Sequence, residues 1–341
     1  MLTAEQILSI NPSFPWKLFS SGEEKIVETE FRGLARRWHP DISHDDGSVF
    51  RHILVLRDNA FEAIKSGKWN TIPEVTFHGV DGRRRSLKYV SKWPHDAGMT
   101  YLGNSYVMHV IDPGFPGNLN AIQEKIKNLN YPNADLENQF KLILPNIVTE
   151  FKAETGEYII VMKRPDNMVR LSDLVRHLNG TLDPRHVAWI LRRCASIICL
   201  LNYNSIVHPD ISMDTCFVDP ENHLISLIGG WWFADTVGSK LSALPARSVS
   251  VMPESDRRNK TLSVAVSLEA VHLLGRELLG FPSGVGFPDS IPKPLVNWLR
   301  VLADVDPVQD YKNLDHAVEE SFGPRRFVDM GVKVTDVQME V

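Results

Sequence analysis

The tripeptide His-Pro-Asp occurs at residues 39–41 and again at 208–210. Proline locks its own backbone angle, so each copy is a stiffened polar corner carrying an imidazole and a carboxylate. Such a corner suits recognition of a charged partner when a basic surface lies beside it. Other chemistries find little footing. The twelve histidines include no pair at zinc-ligand spacing, and neither a Ser-His-Asp nor a Cys-His arrangement follows from spacing. Cys194, Cys199 and Cys216 are an odd number without metal-ligand spacing and are expected to be reduced and buried.

The elements around the first corner are helical. Residues 22–38 read GEEKIVETEFRGLARRW, with Val27, Phe31, Leu34 and Trp38 on one face and Lys25, Arg32 and Arg36 on another, Arg37 beside them. Glu23 and Glu24 suit the start of that helix and the arginines its end. Pro40 disfavours the helical conformation of His39, so the helix stops there. A second helix is expected over 47–66, with Phe50, Ile53, Leu54, Phe61 and Ile64 packing on the first as an antiparallel hairpin, and a short helix over 3–10 precedes both.

Beyond residue 74 the pattern changes. Strands are expected over 87–93, 99–102, 106–111 and 158–162, with turns at Asp96-Ala97-Gly98 and Gly103-Asn104. A helical interlude over 119–129 takes Asn118 or Asn120 as its cap. From about 170 the chain reads as helical again, apart from strand-like pieces at 216–218 and 224–228. Arg83-Arg84-Arg85 reads as a solvated charge run in a turn after Asp81-Gly82, and the tail after Phe327 reads as loosely held.

In 341 residues, 43% are hydrophobic and 23% charged, which sets the chain among globular proteins of two or three domains. The net charge of -5 gives no overall pull toward nucleic acid or an anionic membrane. No signal-peptide pattern opens the chain, and the most apolar stretch, 187–201, is interrupted by Arg192 and Arg193, so a cytoplasmic location without membrane partners is expected.

The run FRGLARRWHPD at 31–41 resembles the J-domain family, whose members stimulate the ATPase of DnaK-type heat-shock chaperones. The resemblance implies a chaperone-binding site made of the His39, Pro40 and Asp41 loop with the basic face of Lys25, Arg32, Arg36 and Arg37. Two departures stand out. The connection through Asn11-Pro12 and Phe14-Pro15-Trp16 is longer than usual in that family, and Asp45 and Asp46 dilute the positive charge near the loop.

The second corner sits in IVHPDISMDTCFVDPENHLISLIGG, which resembles the catalytic loop of protein kinases. The resemblance extends over roughly 75–325: YIIVMKRPDNMVRLSDLV at 158–175 as last small-lobe strand, hinge and next helix; Met252-Pro253-Glu254 where A-P-E would stand; SLEAVHLLGRELLG at 267–280 as core helix. It implies an α+β fold, with a J-domain over 1–70, a kinase-like small lobe over 74–165, a helical large lobe over 166–328 and a tail over 329–341. Phosphoryl transfer needs particular groups, and most are replaced. Asp210 keeps the base position. Thr215 stands for the metal-binding asparagine, and Gly229 for the aspartate that is the main magnesium ligand. His109 falls near the phosphate-clamping lysine, so its helix partner, Glu124, lacks a lysine to meet. The phosphate loop is reduced to Gly98. Trp231-Trp232-Phe233 reads as filling space that nucleotide would occupy.

Together these resemblances imply a J-domain adaptor, not an enzyme, that needs no cofactor or metal. Its expected partners are a DnaK-type chaperone and a client protein held by a catalytically inactive kinase-like domain. Two alternatives stay open on sequence: an atypical phosphotransferase using Asp210 as base, and a scaffold whose J-like hairpin no longer recruits a chaperone.

Overall fold

The computed structural model describes residues 2–8, 10–43, 47–117, 119, 122–324 and 326–337. It is a mixed α+β protein, 43% helical and 17% strand, so helices supply most of the scaffold. Contacts divide it into two compact units, Met1–Val110 with Phe151–Ile159, and Ile111–Glu150 with Ile160–Val337. The N-terminal helices therefore share a unit with the first strands.

The first unit begins with helices α1 (Ala4–Leu8), α2 (Glu24–Trp38), α3 (Pro40–Ser43) and α4 (Ser48–Lys65). Ile7, Phe19, Val27, Ile53 and Leu56 close a core between them, each almost wholly removed from water. Three contacts fix the direction of α2 against α4. His39 lies on Phe50, the Arg57 guanidinium sits 4.4 Å over the Phe31 ring, and Gly22 abuts Trp69, so the helices run antiparallel. The long connection between α1 and α2 is itself anchored: Asn59 Nδ2 donates to Pro12 O at 2.8 Å, Phe14 is buried, and the Asn11 side chain donates to Val90 O.

Strands β1 (Glu74–His78) and β2 (Arg84–Lys88) form an antiparallel hairpin. Then come β3 (Ser91–His95), β4 (Gly98–Leu102) and β5 (Tyr106–Ile111), helices α5 (Ile122–Lys127) and α6 (Ala134–Lys141), and strands β6 (Ile147–Lys152) and β7 (Tyr158–Lys163). Five of these strands make a sheet in the order β3-β4-β5-β7-β6. The single strand expected over 87–93 is in fact the end of β2 and the start of β3, broken at Tyr89-Val90, where Val90 N–H donates to Leu102 O. The arginine triplet lies partly in β2: Arg85 is bonded to Asp81 at 2.6 Å and stacked 4.2 Å over Phe151, which holds the Asp81 carboxyl well below the usual carboxylate range. Arg83 and Arg84 remain exposed, so only Arg85 departs from a solvated run. Asn118, Asn120, Asp45 and Asp46 lie outside the described residues.

The second unit continues with β8 (Val169–Arg170), α7 (Leu171–His177), α8 (Pro184–Tyr203), β9 (Ile206–Val207), β10 (Cys216–Asp219), β11 (Leu224–Leu227) and β12 (Asp235–Thr236). Helices α9 (Ala246–Val249), α10 (Glu254–Asn259), α11 (Val264–Leu278), α12 (Lys293–Arg300), α13 (Pro307–Phe322) and α14 (Val334–Val337) complete it. Pro184 at the first turn and the Asp183 carboxylate accepting from Arg185 N–H start α8. Helix α11 is buried along most of its length, and α8 and α13 pack against it. Cys194 and Cys216 are buried and Cys199 is half-buried, all three as free thiols. Within the described part of the tail, 328–337, Met330, Val332 and Val334 are buried where loose holding was expected, and Phe327, just before it, stacks on His223 at 4.2 Å. No helix among the described residues is long and apolar enough to cross a membrane.

Candidate functional site

Helix α2 turns its two faces in opposite directions. At 100° per residue, Val27, Phe31, Leu34 and Trp38 fall within a narrow stripe, and Lys25, Arg32 and Arg36 fall on the far side. Val27 and Phe31 are buried, whereas Lys25, Arg32, Arg36 and Arg37 are exposed. Glu28 holds Arg32 at 3.0 Å, and Arg37 lies 5.2 Å over the Trp38 ring, so the stripe keeps a net positive charge at the helix end.

The chain leaves α2 at His39, whose ψ of 133° is extended, as a residue before proline requires. Pro40 then opens the short α3. The His39 side chain is 48% exposed and that of Asp41 87%, so both polar groups face solvent. Asp41 N–H donates to His39 Nδ1 at 3.3 Å, and the Asp41 carboxylate lies 3.6 Å from the same nitrogen. Phe50, from the first turn of α4, supports the imidazole edge-on with ring centroids 5.4 Å apart. Gly47 closes the loop at φ 73°, and a Cβ there would lie 3.1 Å from Pro40 Cγ. Sequence reasoning passed over Gly47, although a lone glycine before a helical pattern was its signal. Lys25, Arg32, Arg36, Arg37, His39, Pro40 and Asp41 thus share one helix and the corner that ends it.

The second tripeptide has the opposite fate. His208 is wholly buried, its N–H donates to Ser267 Oγ at 3.0 Å, and its ring meets Trp231 edge-on at 4.9 Å. Burial pushes the imidazole down to about 3. Asp210 is buried too, and Thr215 Oγ1 donates to its carbonyl oxygen at 2.8 Å while accepting from Ser212 N–H at 2.9 Å. Gly229 packs on Thr215: a Cβ at 229 would lie 3.0 Å from Thr215 Cγ2 and 3.2 Å from Thr215 Cα. Gly230, at φ 81°, would put a Cβ 2.6 Å from Asp210 Cβ. His208, Asp210, Thr215 and Gly229 are therefore brought together, as a knitted loop with no side chain of length at 229.

The remaining kinase positions, His109 and Glu124, belong to different units. His109, in the first unit, is buried on β5 with its Nδ1 2.8 Å from Thr100 Oγ1. Glu124, in the second unit, is exposed in the first turn of α5. Its neighbour Lys125 is the residue with a specific task, donating to Ala234 O at 2.9 Å and lying 3.7 Å from the Asp235 carboxylate. Glu254 pairs only loosely with Arg258, at 3.8 Å and well exposed. Trp231, Trp232 and Phe233 are all buried, so they are packing groups and not an exposed anchor. Among the described residues no three histidine, cysteine or acidic side chains are placed to hold a metal ion. No family model matches the chain, and no curated protein matches it.

Proposed function

We propose that the chain is a J-domain co-chaperone that recruits a DnaK-type chaperone through α2 and the His39-Pro40-Asp41 corner. The observation that carries this reading is the pairing of an exposed His-Pro-Asp corner with a helix whose solvent face bears Lys25, Arg32 and Arg36. A cationic stripe steers an acidic partner and fixes its register. The corner at the end of the stripe is held by Phe50 and Gly47, so little ordering entropy is lost on docking. ATP hydrolysis then occurs on the partner.

The kinase-like part, small lobe over 74–165 and large lobe over 166–328, serves this function as a binding body without phosphotransfer chemistry. The order of sheet, linking segment, long helix α8, loop 208–215, strand pair β10–β11 and buried core helix α11 supports the protein-kinase resemblance. Glycine at 229 and threonine at 215 offer no carboxylate or amide where the metal-stabilised charge of phosphoryl transfer would need one. Asp210 without those groups lacks the electrostatic stabilisation that makes a base useful.

Binding of purified, ATP-loaded DnaK-type chaperone to the immobilised full chain tests the docking half. Saturable binding that weakens with salt and is lost in Arg36→Glu supports the reading. Binding of equal strength in native protein and Arg36→Glu contradicts it.

A further inference from the structure

Helices α12 and α13 leave a cavity of about 330 Å³ in the second unit, lined by Trp298, Val301 and Leu302 and by the carboxylates of Asp304, Asp310 and Glu320. No lysine or arginine lines it. The apolar side continues onto the surface, where Val301, Leu302, Val305 and Val308 are all exposed, Leu302 by 83%. Four exposed aliphatic side chains fall within eight positions, two of them, Val301 and Leu302, lining the cavity. Three arginines of this region are committed elsewhere, while Lys293 and Lys312 are exposed beside the lining residues Pro294 and Asn313 without lining the cavity themselves. Arg300 donates to Gly284 O and lies over Phe287, Arg276 donates to Leu299 O, and Arg192 pairs with Asp315. Asp310 is buried and fixed, its carboxylate accepting from Asp304 N–H at 3.1 Å and lying 3.4 Å from His272. Glu320, at the exposed end of the cavity, has only the partly solvated His316 at 3.3 Å.

We propose that this groove docks a basic protein segment carrying an apolar anchor. The anchor covers Leu302 and Val301 against Trp298, and arginine or lysine side chains meet Glu320 and Asp304. The charge argument disfavours an acidic peptide, because Asp304 and Glu320 line the groove with His316 as its one basic side chain and no lysine or arginine. The groove would serve as the client-binding surface of the proposed adaptor, and that role alone rests on the co-chaperone reading.

The test is fluorescence anisotropy with the full chain and two labelled amphipathic peptides, one of leucine and arginine, one of leucine and glutamate. The arginine peptide is expected to bind, to weaken with added salt, and to lose roughly tenfold in affinity with Glu320→Lys or Leu302→Asp. Glu319→Lys, a neighbouring exposed position that does not line the groove, is expected to bind as the native chain does. Absence of binding, equal binding of both peptides, or equal binding by Glu320→Lys overturns the proposal. Chaperone stimulation by Glu320→Lys is measured alongside. Peptide binding without stimulation in the native chain would sink the co-chaperone reading and leave the groove standing.

Discussion

The same three residues meet two environments in this chain, and solvent separates their chemistry. At 39–41 the imidazole and carboxylate are exposed to solvent; at 208–210 the imidazole is sealed under Trp231 and cannot charge without loss. This gives a pH prediction with a definite sign. The folded His208 titrates at about 3, below the unfolded value of about 6.5, so the unfolded chain binds the extra proton in between. Stability is full above about pH 6.5 and falls as pH drops toward 3, by about 1.4 kcal/mol per unit from this group. Urea unfolding at pH 7, 6 and 5 should show that slope, and His208→Gln should flatten it. An unchanged slope in the variant would mean that the histidine is not the source. At the glycine positions the expectation is steric. Gly230→Ala forces a Cβ against Asp210 and His208 at positive φ and should cost about 1–3 kcal/mol or more, read as a lowered unfolding midpoint.

At the scale of elements, helices were the most legible. The expected helix over 22–38 is observed as α2 and that over 47–66 as α4, because apolar spacing speaks directly for each. Strands were harder. Residues 106–111 read clearly since all but His109 are apolar, yet β1 went unread because it offers only two apolar positions, Val75 and Phe77, and β6 because the exposed Val148 blurs its alternation. Helix α6 was missed although Asn133 caps it, its side chain accepting from Leu136 N–H, with Asp135 and Glu137 in the first turn. The burial of the 208–215 loop was not legible, since it depends on Ser267 and Trp231, which no local pattern ties to it. For the α2–α4 pair the core residue to probe is Leu56, fully buried between the helices. Leu56→Ala should cost about 2–5 kcal/mol, measured by thermal unfolding. A variant as stable as the native chain would show that the hairpin does not depend on this core.

At the scale of the whole molecule, the α+β class was legible from the succession of helical, strand-rich and helical stretches. The compact units were less so. The sequence changes character near residue 74, but Asn11 and Phe14 in the long α1–α2 connection are buried within a unit that also holds β1–β5. Nothing in the local pattern marks a polar loop residue for burial. Within the tail, Met330, Val332 and Val334 are buried, and they alternate over too few positions to register as packed. The division of labour in the proposed function makes a further prediction. Asp210→Asn should leave chaperone stimulation unchanged, and calorimetric titration of the native chain with Mg²⁺-ATP should detect no binding. Magnesium-dependent phosphoryl transfer lost in Asp210→Asn would instead favour the phosphotransferase reading.

The most direct test of the central claim is single-turnover ATP hydrolysis by a DnaK-type chaperone with the intact chain or its His39→Gln variant added. His39 is exposed and its side chain lies outside the core, so the variant should fold as the native chain does. The account predicts faster hydrolysis with the native chain and the unstimulated rate with His39→Gln. Equal rates with the native chain, the variant and buffer would contradict it, and would leave α2 and its corner without the recruiting role proposed for them.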